Sequence, residues 1–177
     1  MSGLEAVGDL APDLIVPLVG FRQWRLAGGR LASVYDGAPW SGGRLSARCD
    51  RGHGPADVPA KDCSCGVYAY YDPCPKTASA GTSDLVGGAV VVWGRIEAHI
   101  YGLRAEHARV IALELPLSRG RKRLAVIEAA ELLGVPAVAH RSLKAAAREH
   151  GDVLAPALRP KKTLTRAANV WARNGPA

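Results

Sequence analysis

Residues 86–100, VGGAVVVWGRIEAHI, and residues 103–115, LRAEHARVIALEL, decide the architecture. Both runs are long, apolar over much of their length and free of proline. Only Tyr101-Gly102 separates them, and a two-residue link with Gly second predicts a tight antiparallel hairpin. Tyr is a poor residue at positive φ, so the turn is not ideal. With this turn, Ile100 faces Leu103 and His99 faces Arg104. Alternation then puts Arg95, Glu97, His99, Arg104, Glu106 and Ala108 on one face. Val92, Ile96, Ala98, Leu103, Ala105 and His107 fall on the other. Glu97 opposite Glu106 is an unfavourable pair that Arg95 and Arg104 can bridge. An acid/base site made of Glu97, His99 and Glu106 is one reading of this face. A solvated, charge-balanced strand surface is the simpler one. His107, on the apolar face, is expected to be a hydrogen-bonded core histidine.

Upstream, residues 19–27 (VGFRQWRLA) alternate well enough for a strand, with Phe21, Trp24 and Leu26 as the bulky positions. Gly28-Gly29 turns it into a second strand, RLASVY, residues 30–35. Residues 36–43 read as loop and residues 44–49 (RLSARC) as a third short strand. Downstream, a helix runs from the Arg119–Arg123 stretch to Leu133, stopped by Gly134 and Pro136. A second spans about 141–150 and stops at Gly151. Strands first and helices after predict an α+β fold: a small antiparallel sheet with a metal-binding loop and two C-terminal helices. The organisation expected is an acidic arm over 1–18, one domain over 19–155 and a basic tail over 156–177.

The composition agrees with one loop-rich, β-containing domain. The chain has 177 residues with 20 Gly and 12 Pro, too many breakers for a helical bundle. Ala supplies much of the apolar fraction, and there is one Phe and one Met. The core therefore has to come from Val, Leu, Ile, Trp and Tyr. No apolar run reaches the roughly 18 residues of a membrane span. The first ten residues lack a basic and apolar leader pattern, so a cytoplasmic protein is expected. No phosphate-binding glycine loop, Gly-x-Ser-x-Gly elbow or His-Glu-x-x-His is present.

The chemistry concentrates between residues 49 and 74, which hold all four cysteines and His53. Thiolates with an imidazole suit a tetrahedral zinc site. The preferred ligand set is Cys49, His53, Cys63 and Cys65, with Cys74 as the substitute for His53. Cys63-Ser64-Cys65 is tighter than the usual two-residue gap, and alternate residues of a flat strand point apart. Both can reach one ion only if the chain turns, and Gly66 supplies a place for the turn. Buried free thiols, disulfides and a Cys63/Cys65 redox pair are the competing readings.

The run Cys63-Ser-Cys-Gly-Val-Tyr-Ala69, with Cys49 and His53 before it and Val91-Val-Trp-Gly-Arg-Ile96 and Gly102-Leu-Arg-Ala-Glu106 after it, resembles a group of actinobacterial and actinophage proteins of unassigned activity. The resemblance covers roughly residues 20–150. It implies that the cysteines act as a unit and implies no activity.

The net charge is +7, and a basic balance favours polyanion partners. Arg119, Arg121, Lys122 and Arg123 stand at a helix start, where the dipole disfavours cations. Arg159, Lys161, Lys162 and Arg166 lie in an acid-free tail whose Leu164 and Trp171 follow helical spacing. These eight bases are the expected contacts to nucleic acid or an acidic protein surface, and no membrane is expected. The function expected from sequence is a non-enzymatic, zinc-stabilised binding module contacting nucleic acid or an assembly bound to it. A protein-binding adaptor and a small metal- or carboxylate-dependent enzyme are the alternatives.

Overall fold

The computed structural model describes residues 17–73 and 84–161. Strand β1 (Leu18–Ala27) turns through Gly28-Gly29 into β2 (Arg30–Ser33). Two short strands follow, β3 (Arg44–Ser46) and β4 (Val67–Tyr70). The long hairpin is β5 (Leu85–Ala98) and β6 (Gly102–Leu115). Then come α1 (Arg121–Leu133), β7 (Ala137–Ala139) and α2 (His140–Arg148).

The strands form one mixed sheet of seven rather than a small antiparallel one. β5 lies between β1 and β6. The other edge of β6 takes β4, β3 and β7 in turn, with β7 parallel. β4 also touches β1 at Phe21↔Tyr70, so β1, β5, β6 and β4 close an antiparallel ring. The two helices do not form a C-terminal pair: β7 separates them, and the chain returns past α2 to bridge Asp152 to Leu18.

The inside of the ring is the main core. Trp24, Val67, Val90, Leu103, Val110 and Leu113 meet there with Val126 and Ala129 of α1. Helix α1 stops where expected, with Gly134 left-handed (φ 65) and its N–H bonded back into the last turn. Helix α2 buries Leu143 and Ala147 on the outer face, over Val19, Phe21, Ala89 and Ile111.

The hairpin register differs from the sequence reading. Glu97, not His99, lies opposite Arg104, and Ala98 lies opposite Leu103. The link is therefore centred on Ile100-Tyr101, which spares Tyr101 a positive φ: no residue but glycine adopts one among the described residues. The pairing also slips between Trp93 and Ile96, at Gly94 (φ 81). A bulge adds one residue and exchanges the faces beyond it. Hence Ala108 is fully buried, while His107 turns outward onto Trp93 and Ser46. The expected core histidine is instead a half-buried surface group.

Candidate metal centre

Topology brings the cysteines together. β3 leaves the β6 edge opposite His107, and β4 rejoins the same edge opposite Ala105. The loop between them, residues 47–66, thus starts and ends at almost one point of the sheet. Cys49 stands just after its first anchor. Cys63 and Cys65 stand just before its second. Gly66 makes the turn that the tight Cys-x-Cys spacing demands: its φ is +128, and a Cβ there would press on Arg104 and Pro59.

The sulfur atoms of Cys49, Cys63 and Cys65 and a ring nitrogen of His53 all lie within 4.8 Å of one another. Cys49 Sγ is 3.0 Å from His53 Nδ1 and 3.6 Å from Cys63 Sγ. Cys63 and Cys65 are buried with Val58 in a small apolar cluster of their own. Backbone N–H groups point at the sulfurs: Arg51 N–H to Cys49 and Ala60 N–H to Cys65, each at 3.4 Å. Burial pushes the Cys49 thiol up, but hydrogen bonds from His53, Arg51 and Cys63 outweigh it and bring the thiol down to about 6. Burial raises the Cys65 thiol. The Cys49 and Cys63 sulfurs raise His53. A cation at the centre of these donors would relieve both raised groups by favouring thiolate and neutral imidazole. The four residues can hold a metal ion. Cys74 lies outside the described residues.

Arg104 supports the loop from beneath and was placed by sequence on a solvated face. It is 3% exposed. Its Nη1 donates to the carbonyl oxygens of Cys63 and Cys65, and its Nη2 to that of Ala60. The same Nη2 pairs with Glu97, and Nε donates to His99 Nε2 at 3.0 Å. Glu97 and His99 thus serve Arg104. Glu106 is elsewhere, on His107 and the backbone N–H of Arg95. The carboxylates do not converge into an acid/base site.

A cleft of about 420 Å³ opens beside the centre. Arg22, Arg48 and Arg51 line it with Asp36, Asp50, Tyr35, Tyr68 and Tyr70. Arg22 is half-buried, donates to the Tyr68 carbonyl at 2.5 Å and lies over the Trp40 ring at 5.3 Å. Burial lowers it to about 10, so it stays cationic at neutral pH.

The basic residues named from sequence divide. Arg119 and Arg121 are exposed. Lys122 is half-buried, and Arg123 donates to the Pro116 carbonyl at 3.2 Å. Arg159 sits 4.1 Å from the centroid of the Tyr71 ring, so the start of the predicted tail packs on the domain. Lys161 is exposed. Lys162, Arg166, Leu164 and Trp171 lie outside the described residues, as does the arm up to residue 16.

Among the described residues no helix is long and apolar enough to cross a membrane. The chain matches no protein-family model, no curated protein and no solved structure.

Proposed function

We propose that this chain is a non-enzymatic, zinc-stabilised binding module whose partner is nucleic acid. The observation that carries the zinc half is the donor set, three sulfurs and one imidazole nitrogen within 4.8 Å. Soft thiolates with imidazole select zinc over magnesium or calcium. A tetrahedron of Zn–S bonds of about 2.3 Å has S···S edges of roughly 3.8 Å. The Cys49–Cys63 separation of 3.6 Å fits that edge. Four protein ligands fill the coordination sphere and leave no position for a substrate or activated water, which makes the role structural. The metal would fix a loop whose regular structure is a single 3-10 turn, Pro55–Asp57.

The nucleic-acid half is supported by charge. The chain carries +7, and the cleft against the zinc loop is lined by three arginines and three tyrosines beside two aspartates. Such a surface offers phosphate contacts and ring faces together. The test is metal analysis of the purified protein with binding of labelled oligonucleotides across a salt series. Stoichiometric zinc and an affinity that falls steeply with salt are expected. Zinc-free folded protein overturns the first half; salt-insensitive or absent binding overturns the second.

A further inference from the structure

We infer that single-stranded nucleic acid docks on the uncovered end of the outer sheet face, with Trp93 as the platform for a base and Arg44 and Arg109 as its phosphate contacts. This rests on the nucleic-acid reading above and adds a second surface to it, one that shares no residue with the arginine-lined cleft.

The outer face has two halves. Helix α2 covers the half around Phe21, Ala89 and Ile111. Along the same strands, the outer side chains of Arg44, Arg109 and Trp93 are exposed. There Trp93 is 43% exposed. Its ring is stacked on His107, with centroids 5.4 Å apart and planes at 27°. His107 is itself fixed by Ser46 Oγ at 2.9 Å and Glu106 at 3.1 Å. The indole is thereby backed on one face by His107 while 43% of the residue stays exposed. That is a preset surface for a planar ring, at little ordering cost.

The next row down the sheet carries charge. Arg44 and Arg109 are direct cross-strand partners on β3 and β6, and both are exposed. Like charges directly opposite destabilise a sheet, and neither arginine has a carboxylate within ion-pair distance among the described residues. The guanidinium of Arg95, exposed at the bulge beside Trp93, likewise has no carboxylate within ion-pair distance among the described residues. An anion placed between Arg44 and Arg109 would turn this repulsion into a clamp. An open ring next to a cationic pair matches a strand of unstacked bases on a phosphate backbone. A duplex hides its base faces from such a ring, and an acidic peptide offers it no base to stack.

The test uses the full chain and labelled oligo(dT), oligo(rU), a duplex of equal length and a poly-glutamate peptide as probes. Trp93→Ala should weaken oligo(dT) binding by roughly five- to a hundredfold, the range for losing one stacked base. Trp93→Phe should retain part of it. Arg44→Ser with Arg109→Ser should lower the salt slope on single strands by about 1.4. All three proteins should stay folded: the urea midpoint should fall modestly for Trp93→Ala, which loses the stack on His107, and hold or rise for the arginine pair, which loses a like-charge repulsion. If the wild type binds no nucleic acid, this inference and the reading beneath it both fall. If it binds oligo(dT) but the variants bind equally well, only the placement falls. Tighter duplex binding overturns the single-strand assignment. Poly-glutamate competing as well as oligo(dT), with Trp93→Ala neutral, makes the face an acidic-protein site.

Discussion

Arg104 Nη1 donates to the Cys65 carbonyl oxygen at 3.1 Å, across 39 residues of sequence. The contact ties the second anchor of the metal loop to the central hairpin. Arg104 suits the position because its planar fork offers five donors, and the loop presents several carbonyls at once. Its charge is balanced by Glu97 directly across the strand pair. The metal loop is thus held from above by its donor set and from below by one buried guanidinium.

Arg104→Leu should destabilise the fold by about 3–5 kcal/mol, since it strips a half-buried ion pair and orphans the carbonyls of Ala60, Cys63 and Cys65. Arg104→Lys should recover little, because an ammonium cannot span the same acceptors. Urea unfolding measures both. A loss below about 1 kcal/mol for the leucine variant, the range of ordinary surface changes, would show that the guanidinium does not organise the loop.

Glu97→Gln tests the other end of the pair. From sequence, this position reads as solvated surface, with an effect below about 1 kcal/mol. In the structure Glu97 is 32% exposed but is the carboxylate of a nearly buried arginine. Replacing it should cost about 1.5–3 kcal/mol, the range for hydrogen bonds to charged groups. Glu106→Gln, whose carboxylate has only a half-exposed histidine and a backbone N–H, should cost less. Equal midpoints for the two variants would contradict the hierarchy.

The sequence made the long hairpin, the Gly28-Gly29 turn, both helices and the cysteine cluster legible, because each has a local cause. Runs of apolar residues, glycine stops and close ligand spacing can be read without knowing the neighbours. The register differs because the sequence reads Tyr101-Gly102 as the turn, whereas the chain centres it on Ile100-Tyr101 and keeps glycine at the start of β6. Strand faces beyond Gly94 were misread because one bulge residue reverses them. β4 and β7 are short, and only the long-range edge of β6 makes them strands. Arg104 was beyond reach for the same reason: nothing local distinguishes a buried arginine from an exposed one. The sequence offers Arg104 and Arg95 alike as partners of Glu97, and only the true register puts Arg104 directly opposite it.

Purified protein should hold about one zinc per chain. Cys65→Ser should lower both zinc content and Tm, because a structural site contributes its binding free energy to folding. Cys74→Ser should leave the zinc content unchanged, since four donors already converge without it. Metal analysis and thermal melts decide both points, and a Cys74→Ser protein lacking zinc would displace His53 from the ligand set.

His99 should make stability fall on mild acidification. Burial lowers its pKa; Glu97 raises it and Arg104 lowers it further. The ring accepts from Arg104 Nε at Nε2, which requires the neutral form. The unfolded chain takes up the proton near the ordinary histidine value of about 6.5. Above that pH neither state is protonated and the full stability is present. As pH falls below it the unfolded state binds more protons, and stability declines until the folded-state pKa is passed. His99→Gln keeps an acceptor without the titration. Its urea midpoint should change less than that of wild type between pH 7 and about 5.5, and parallel curves would remove His99 as the cause.

Arg159 separates a structural from a phosphate-binding role at the end of the described chain. Its guanidinium lies 4.1 Å from the Tyr71 ring centroid, and its Nε donates to the Leu154 carbonyl at 2.9 Å. Tyr71 is 4% exposed and bonds through its hydroxyl to the His99 carbonyl. The stack therefore closes over the turn of the central hairpin. Arg159→Ala should cost about 1–2 kcal/mol, from the lost cation–π contact and hydrogen bond. Arg159→Lys should recover part of the stack but not the geometry. A free phosphate-binding arginine would behave oppositely: stability would hold, and the salt slope for oligonucleotide binding would drop by about 0.7–0.9 per lost contact. Measuring urea midpoint and salt slope on the same variant distinguishes the two. A drop in midpoint with an unchanged slope is the expected result. An unchanged midpoint with a shallower slope would return Arg159 to the binding surface and detach this segment from the domain.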